Sequence, residues 1–311
     1  MTHLRMECGP ISTHLFLRTN VDIQMLVSRI LRKHCIKRDT EEENKEATQT
    51  IVFTFTQSNI FRNNTPAVGF WGLGDSIRGV LSIYQFCKRN QRKFLINIDD
   101  HPFSQYLEKD TTPYHCNNTY SMTHYVGGDG GGFNSIKINK KDNIYYVYSN
   151  AWPREPLLSD EKSLIRSILT IKREYQIKLP ESYSVLHIRT GDEYIKSNLP
   201  YVKLAFYVGL VKKYMGSGKI VLCSDNVQLK RHIANTMSGV TVFVNDARSG
   251  HIGYDTDPGI LRNTLTDLQI VMGARNVYTY SVYPWISGFV DWVTKCFDIP
   301  LISMKGTASG K

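Results

Sequence analysis

The 311 residues are 41% hydrophobic and 21% charged, the balance of a globular protein with room for one large or two medium domains. No apolar run approaches the roughly 20 residues that span a bilayer, and "PISTHLFLRT" near the N-terminus is broken by His14 and Arg18, so neither a transmembrane segment nor a signal peptide is expected and the location reads as cytoplasmic. A net charge of +10 calls for an anionic partner such as a nucleotide, a phosphate or an acidic surface, or is simply a solvated basic surface.

Residues 1–49 read as an N-terminal extension, with an amphipathic stretch over 21–35 and a charged, apolar-poor linker over 37–50. A first α/β unit follows: a strand over 51–56, a strand entering the glycine turn of "AVGFWGLGD", a helix over 75–89 and a strand over 93–98. In that helix Ile77, Val80, Leu81, Tyr84 and Cys87 share one face, and Asp75 is placed to cap the N-terminus. The segment "GGDGGGFN" (127–134) is a loop, 144–149 a strand, and 159–175 a helix with an acidic first turn. Strands near 184–189, 219–223, 240–244 and 276–279 then alternate with helices near 201–214, 226–237, 261–274 and 284–297. That rhythm belongs to a doubly wound parallel sheet. The expected fold class is α/β, with two Rossmann-like domains (50–155 and 156–311) facing a cleft. Ligands of such sheets bind beyond the carboxyl ends of the strands, so the loops after strands are where chemistry belongs.

Six cysteines without C-x-x-C spacing argue against a zinc site and fit reduced thiols. The basic residues fall in short clusters such as "CKRNQRK" (87–93), with no zinc-finger or RNP-type pattern, so nucleic acid is not the expected partner. In "VLHIRTGDEY" (185–194), His187 and Arg189 point to one face at the end of a core strand, with Asp192 in the turn beyond. Such an arginine forks onto a phosphate, or forms a structural Arg–Asp pair. In "FWGLGDSIRG" (70–79), Gly72 and Gly74 precede a helix N-terminus, which suits either an anion or a plain tight turn. Thr264 and Asp267 lie one turn apart, opposite the core face of their helix, where an aspartate can meet a purine N–H edge or solvent. Ser281 follows a strand, as a phosphate ligand or a capping residue. The pair in "DTD" (255–257) suits a divalent cation, but its polar Pro-Gly context favours a turn.

Taken in order, "GLGDSIRG", "HIRTGD", "HIGY" (251–254), "TLTDL" and "YSVYPWISGF" resemble the GDP-fucose-dependent fucosyltransferase superfamily, over about residues 66–300. The nearest likeness is to the nodulation-type and plant cell-wall-type enzymes. The resemblance implies a GT-B-like glycosyltransferase that moves fucose from GDP-fucose to an oligosaccharide or glycoconjugate, by inversion and with neither an obligatory metal nor a cofactor. It places Arg189 on the sugar diphosphate, His187 and Asp267 on the guanosine, Ser281 on a phosphate, and Gly72 and Gly74 along the cleft. Where several relatives read H-x-R-R this chain has Thr190, which implies one phosphate contact fewer. The general base is sought among Asp192, Glu193, Asp75 and Asp100, the first two leading. The alternatives are a transferase for another GDP-deoxyhexose, a family member that binds donor without transferring it, or a non-catalytic nucleotide- or nucleic-acid-binding α/β protein.

Overall fold

Two parallel sheets organise the residues that the computed structural model describes, which are 49–55, 58–62, 65–69, 71–99, 101–116, 124–126, 143–195, 197–215, 218–244 and 257–305. Strand β1 (Thr50–Thr54) precedes an antiparallel hairpin of β2 (Ser58–Arg62) and β3 (Thr65–Gly69). Helix α1 (Leu73–Arg89) follows, then β4 (Lys93–Asn97), β5 (His124–Val126) and β6 (Ile144–Ser149). The first sheet runs β4-β1-β6-β5, all parallel. Helix α2 (Ser159–Ile168) leads into the second sheet. That sheet comprises β7 (Ser184–Arg189), α3 (Tyr201–Tyr214), β8 (Ile220–Ser224), α4 (Val227–Thr236), β9 (Val240–Val242), α5 (Pro258–Met272), β10 (Asn276–Ser281), α6 (Gly288–Phe297) and β11 (Leu301–Ser303).

The second sheet is ordered β11-β10-β7-β8-β9, every pair parallel. This is the Rossmann order: the chain winds outward from β7 through β8 and β9, then returns to the other side through β10 and β11. The direction reverses between β7 and β10, and a crevice opens there beyond the strand ends. All five positions of β8, "IVLCS", are buried, as a strand covered on both faces requires. On one face, Tyr207 and Val211 of α3 and Leu229 and Ile233 of α4 pack against Leu186, Ile188 and Leu222. On the other, Leu261 and Leu265 of α5 and Val290 and Val293 of α6 join Val185 and Val277. That second core continues into Val80 and Leu81 of α1 and Leu164 of α2, and the described residues form one compact unit.

The structure corrects several element boundaries. The helix expected over 159–175 stops at Ile168, because its continuation pairs elsewhere: the Glu108 N–H donates to the Thr170 carbonyl (2.8 Å) and the Lys172 N–H to that of Tyr106 (3.0 Å). Only a 3-10 turn at Arg173–Tyr175 remains of it. The strand before the glycine turn joins β2 in a hairpin instead of entering the first sheet. The helix expected from 284 begins at Gly288, with Ser287 as its N-cap. The extension through Thr48 and the glycine loop at 127–134 lie outside the described residues. Among the described residues no helix is long and apolar enough to cross a membrane.

Candidate active site

Strand β7 ends on Arg189 at the switch point. Alternation along the strand turns Val185, His187 and Arg189 towards α5 and α6, and Arg189, the last of them, reaches the crevice with 17% of its side chain exposed. Two carboxylates hold its guanidinium: Nη1 donates to Asp225 Oδ2 at 2.8 Å and Nη2 to Asp192 Oδ1. Asp225 directly follows β8, and its Oδ1 accepts from the Thr190 N–H (2.8 Å) and Oγ1 (2.9 Å). Thr190 is fully buried, so it fixes the carboxylate that fixes Arg189. Burial pushes the Asp225 carboxyl up, against the pull of Arg189 and Thr190. The turn needs Gly191, whose φ of +112° is open to glycine and strained for other residues, and whose Cβ would meet Val282 Cγ1 at 3.1 Å. Only two of the five guanidinium N–H donors are taken by these carboxylates, which leaves others for a ligand.

Two residues back from Arg189, His187 is 4% exposed, with Nδ1 and Thr279 Oγ1 of β10 3.0 Å apart. Burial, reinforced by the charges of Arg189 and Lys230, pulls its pKa down to about 3, so the imidazole is neutral at physiological pH. Lys230 of α4 and Asp267 of α5 form an ion pair at 2.8 Å. Burial alone would lower Lys230, but its neighbours, Asp267 first with Cys223 and Asp225, together outweigh it and the ammonium stays charged. Next to this pair, burial and then the Asp267 charge hold the Cys223 thiol well above its ordinary range.

A pH dependence follows. In the unfolded chain a histidine titrates near 6.5, whereas folded His187 stays neutral to about 3 and folded His101, buried with Nδ1 accepting from the Phe103 N–H, to about 4. Both folded values are depressed, so this stability is complete above the unfolded pKa and is lost as pH falls towards the folded ones. Urea unfolding between about pH 7.5 and about pH 4.5 is expected to show a loss on the order of a few kcal/mol. The dependence should be shallower in His187→Gln, and identical profiles for the two proteins would remove His187 from this account.

These groups line a cleft that is open to solvent. Thr264 and Asp267 form its α5 wall, Gly72 and Leu73 its α1 wall, and Ser287 and Phe289 the start of α6. Gly74 lies one step behind, letting α1 and α6 touch: a Cβ there would sit 2.4 Å from the Gly288 carbonyl carbon and 2.6 Å from the Phe289 nitrogen. Ser281 faces Arg189 across the ladder but is buried, and its hydroxyl accepts from the Tyr283 N–H at 3.2 Å. Two other serines line the cleft: Ser224, whose hydroxyl donates to the Ile188 carbonyl at 2.8 Å, and Ser287, whose hydroxyl makes no capping bond and stands beside the first-turn amides of α6, which have no partner within the helix. Asp192 and Glu193 carry exposed carboxylates at the rim, on Arg189 and on Lys203 (3.1 Å) respectively, and neither lines the cleft. Asp75 sits in the first turn of α1, paired with Arg78 at 2.8 Å, and burial pushes its pKa up. Asp257 of "DTD" caps α5, accepting from the Gly259 N–H at 2.8 Å. Asp100, "HIGY" and Asp255 lie outside the described residues.

No family model matches the sequence, and no curated protein does. Solved structures do. The crystal structure of NodZ α-1,6-fucosyltransferase soaked with GDP-fucose is similar over 85% of this chain and 97% of that one, with a TM-score of 0.51 at 13% sequence identity. This chain has the fold of that fucosyltransferase. NodZ from Bradyrhizobium, in a further crystal structure, gives a TM-score of 0.48 over 79% of this chain and 92% of that one, at 13% identity. POFUT1 in complex with GDP gives 0.41 over 83% and 98%, at 12% identity. The α/β architecture of two parallel sheets, GT-B-like, is thus the one expected from the sequence. Within this NodZ-like fold, Asp225, Lys230 and Ser287 are cleft residues that the sequence reading did not single out.

Proposed function

We propose that the chain is an inverting glycosyltransferase that moves fucose from GDP-fucose to a hydroxyl of an oligosaccharide or glycoconjugate, without an obligatory metal. The observation that carries this reading is Arg189, fixed by Asp225 at the switch point of a Rossmann sheet, with the N-terminus of α6 on the same cleft. Breaking the sugar–phosphate bond releases GDP, and negative charge grows on its terminal phosphate. The remaining Arg189 N–H groups, the Ser287 hydroxyl and the first amides of α6 are suited to meet that charge as it develops. A shared fold with an enzyme solved after soaking in GDP-fucose supports the donor. Asp267 and Lys230 support the base: a carboxylate accepts from guanine N–H groups while an ammonium donates to its carbonyl oxygen. Adenine lacks that combination. Asp192, exposed and bonded to Arg189 at the proposed phosphate site, is the carboxylate best placed to take the acceptor proton, ahead of Glu193, whose partner Lys203 is not part of the cleft lining.

Thermal-shift titration with GDP, UDP and ADP tests the reading. GDP at about 100 times its Kd is expected to stabilise by about 2.7 kcal/mol, with no comparable response to the other two. With GDP-sugars and acceptors, Asp192→Asn should keep the GDP response and lose turnover by about 100- to 10,000-fold. Indifference to GDP would leave the likeness as one of fold only, and full turnover in Asp192→Asn would move the base elsewhere.

A further inference from the structure

The loop after β10 presents an aromatic surface that the donor cleft does not use. Tyr283 and Trp285 stack with ring planes 3° apart and centroids at 5.2 Å. The indole is 62% exposed and is not part of the cleft lining, and Val282 beside it is 36% exposed. Yet the loop is firmly held. The Val282 N–H donates to the Arg189 carbonyl at 3.0 Å, and the Tyr283 N–H to Ser281 Oγ at 3.2 Å. The Lys305 ammonium donates to the Tyr283 carbonyl, and the Tyr283 hydroxyl accepts from the Asp192 N–H at 2.9 Å. Trp285 is thus one ring stack away from the Arg189–Asp192 turn, outside the nucleotide cleft and on its rim.

We propose that the Tyr283–Trp285 stack is the platform on which a pyranose ring of the acceptor glycan docks; this rests on the glycosyltransferase reading above. A pyranose has one face of C–H groups and a rim of hydroxyls. The C–H face lies against an indole, whose π face carries partial negative charge and attracts polarised C–H bonds, while the hydroxyls stay in reach of water and of the exposed Asp192 carboxylate. Tyr283 covers one side of the indole and fixes its plane, so little side-chain freedom is lost on binding. The platform presents the acceptor next to the carboxylate assigned to receive its proton. Free nucleotide has no use for it, because the residues suited to base and phosphate lie inside the cleft.

The test uses the full chain as wild type, Trp285→Ala and Trp285→Phe, each checked for an unchanged melting midpoint. All three are applied to a glycan array, and the strongest glycan is then titrated by calorimetry beside GDP. The expected result is that Trp285→Ala weakens that glycan by about tenfold or more, the scale of one lost ring stack. Trp285→Phe retains most of the affinity, and GDP binds all three proteins alike. Glycan binding unchanged in Trp285→Ala, a wild type that binds no glycan, or a GDP affinity that falls with the indole would each overturn the proposal. A wild type that ignores GDP while its glycan binding still depends on Trp285 would remove the donor reading and leave the platform standing.

Discussion

Arg189→Ala is expected to abolish the response to GDP and to lower any sugar transfer by at least about 100-fold, the scale of losing one preorganised charge donor. The variant has a second defect that must be separated from the first. Asp225 is 12% exposed at its side chain, and without Arg189 it keeps its bonds from Thr190 but loses its counter-charge. Breaking a buried pair in this way costs about 3–5 kcal/mol when fully buried, and less here because both partners keep some solvent contact. Burial already holds the folded pKa of Asp225 above its unfolded value, and removing Arg189 raises it further. A raised carboxyl stabilises most below the unfolded pKa and loses that contribution as pH rises through the folded one. The deficit of Arg189→Ala against wild type should therefore be larger at about pH 8 than at about pH 5. Asp225→Asn added to Arg189→Ala removes the orphaned charge while its amide oxygen still accepts from Thr190. Urea unfolding is expected to show most of the stability restored in the double variant, whereas the GDP response stays absent. A double variant that regained GDP binding would show that Arg189 only holds the fold.

The same cluster shows what the sequence could convey. Strand β7 runs over Ser184–Arg189 as its pattern predicts, and the one-face placement of His187 and Arg189 follows from a period of two. Asp225 carries the signal applied to Asp192, a carboxylate just past the end of a core strand, and is legible on the rule that chemistry lies beyond strand ends. Thr190 is different. At the position where several relatives of the resembled family have a second arginine it looks like a loss, and only the neighbouring strand β8 reveals that it is the clamp on Asp225. Ser287 was hidden by Pro284, since proline commonly opens a helix. Here Pro284 belongs to the loop held by Lys305 and Asp192, and α6 starts four residues later. Local pattern reports which face a residue occupies, but not which distant backbone passes against that face.

Gly74→Ala is the substitution in which that distant contact has its largest consequence. Its new methyl carbon would lie 2.4 Å and 2.6 Å from the Gly288 carbonyl carbon and oxygen, and 2.6 Å from the Phe289 nitrogen. All three are backbone atoms, so no flexible side chain can swing aside, and α1 must move off α6. Overpacking of this kind costs about 1–3 kcal/mol and sometimes more. The effect on the site is separate. Gly288 and Phe289 open α6, so the methyl covers an amide that has no partner within the helix and that the proposed phosphate site needs. The walls at Gly72–Leu73 and Ser287–Phe289 would part with their helices. The expected outcome is a lower melting midpoint together with a GDP affinity reduced by about tenfold or more, the latter equivalent to about 1.4 kcal/mol. Gly209→Ala is the matched control: it lies within α3, where an added Cβ meets nothing within 4 Å. It should stabilise by about 0.5–1 kcal/mol and leave GDP binding alone. If Gly74→Ala melts with wild type, the two helix ends do not meet in solution, and the α6 terminus loses its place in the donor site. If it melts early but binds GDP normally, the contact is structural and the phosphate rests on Arg189 without α6.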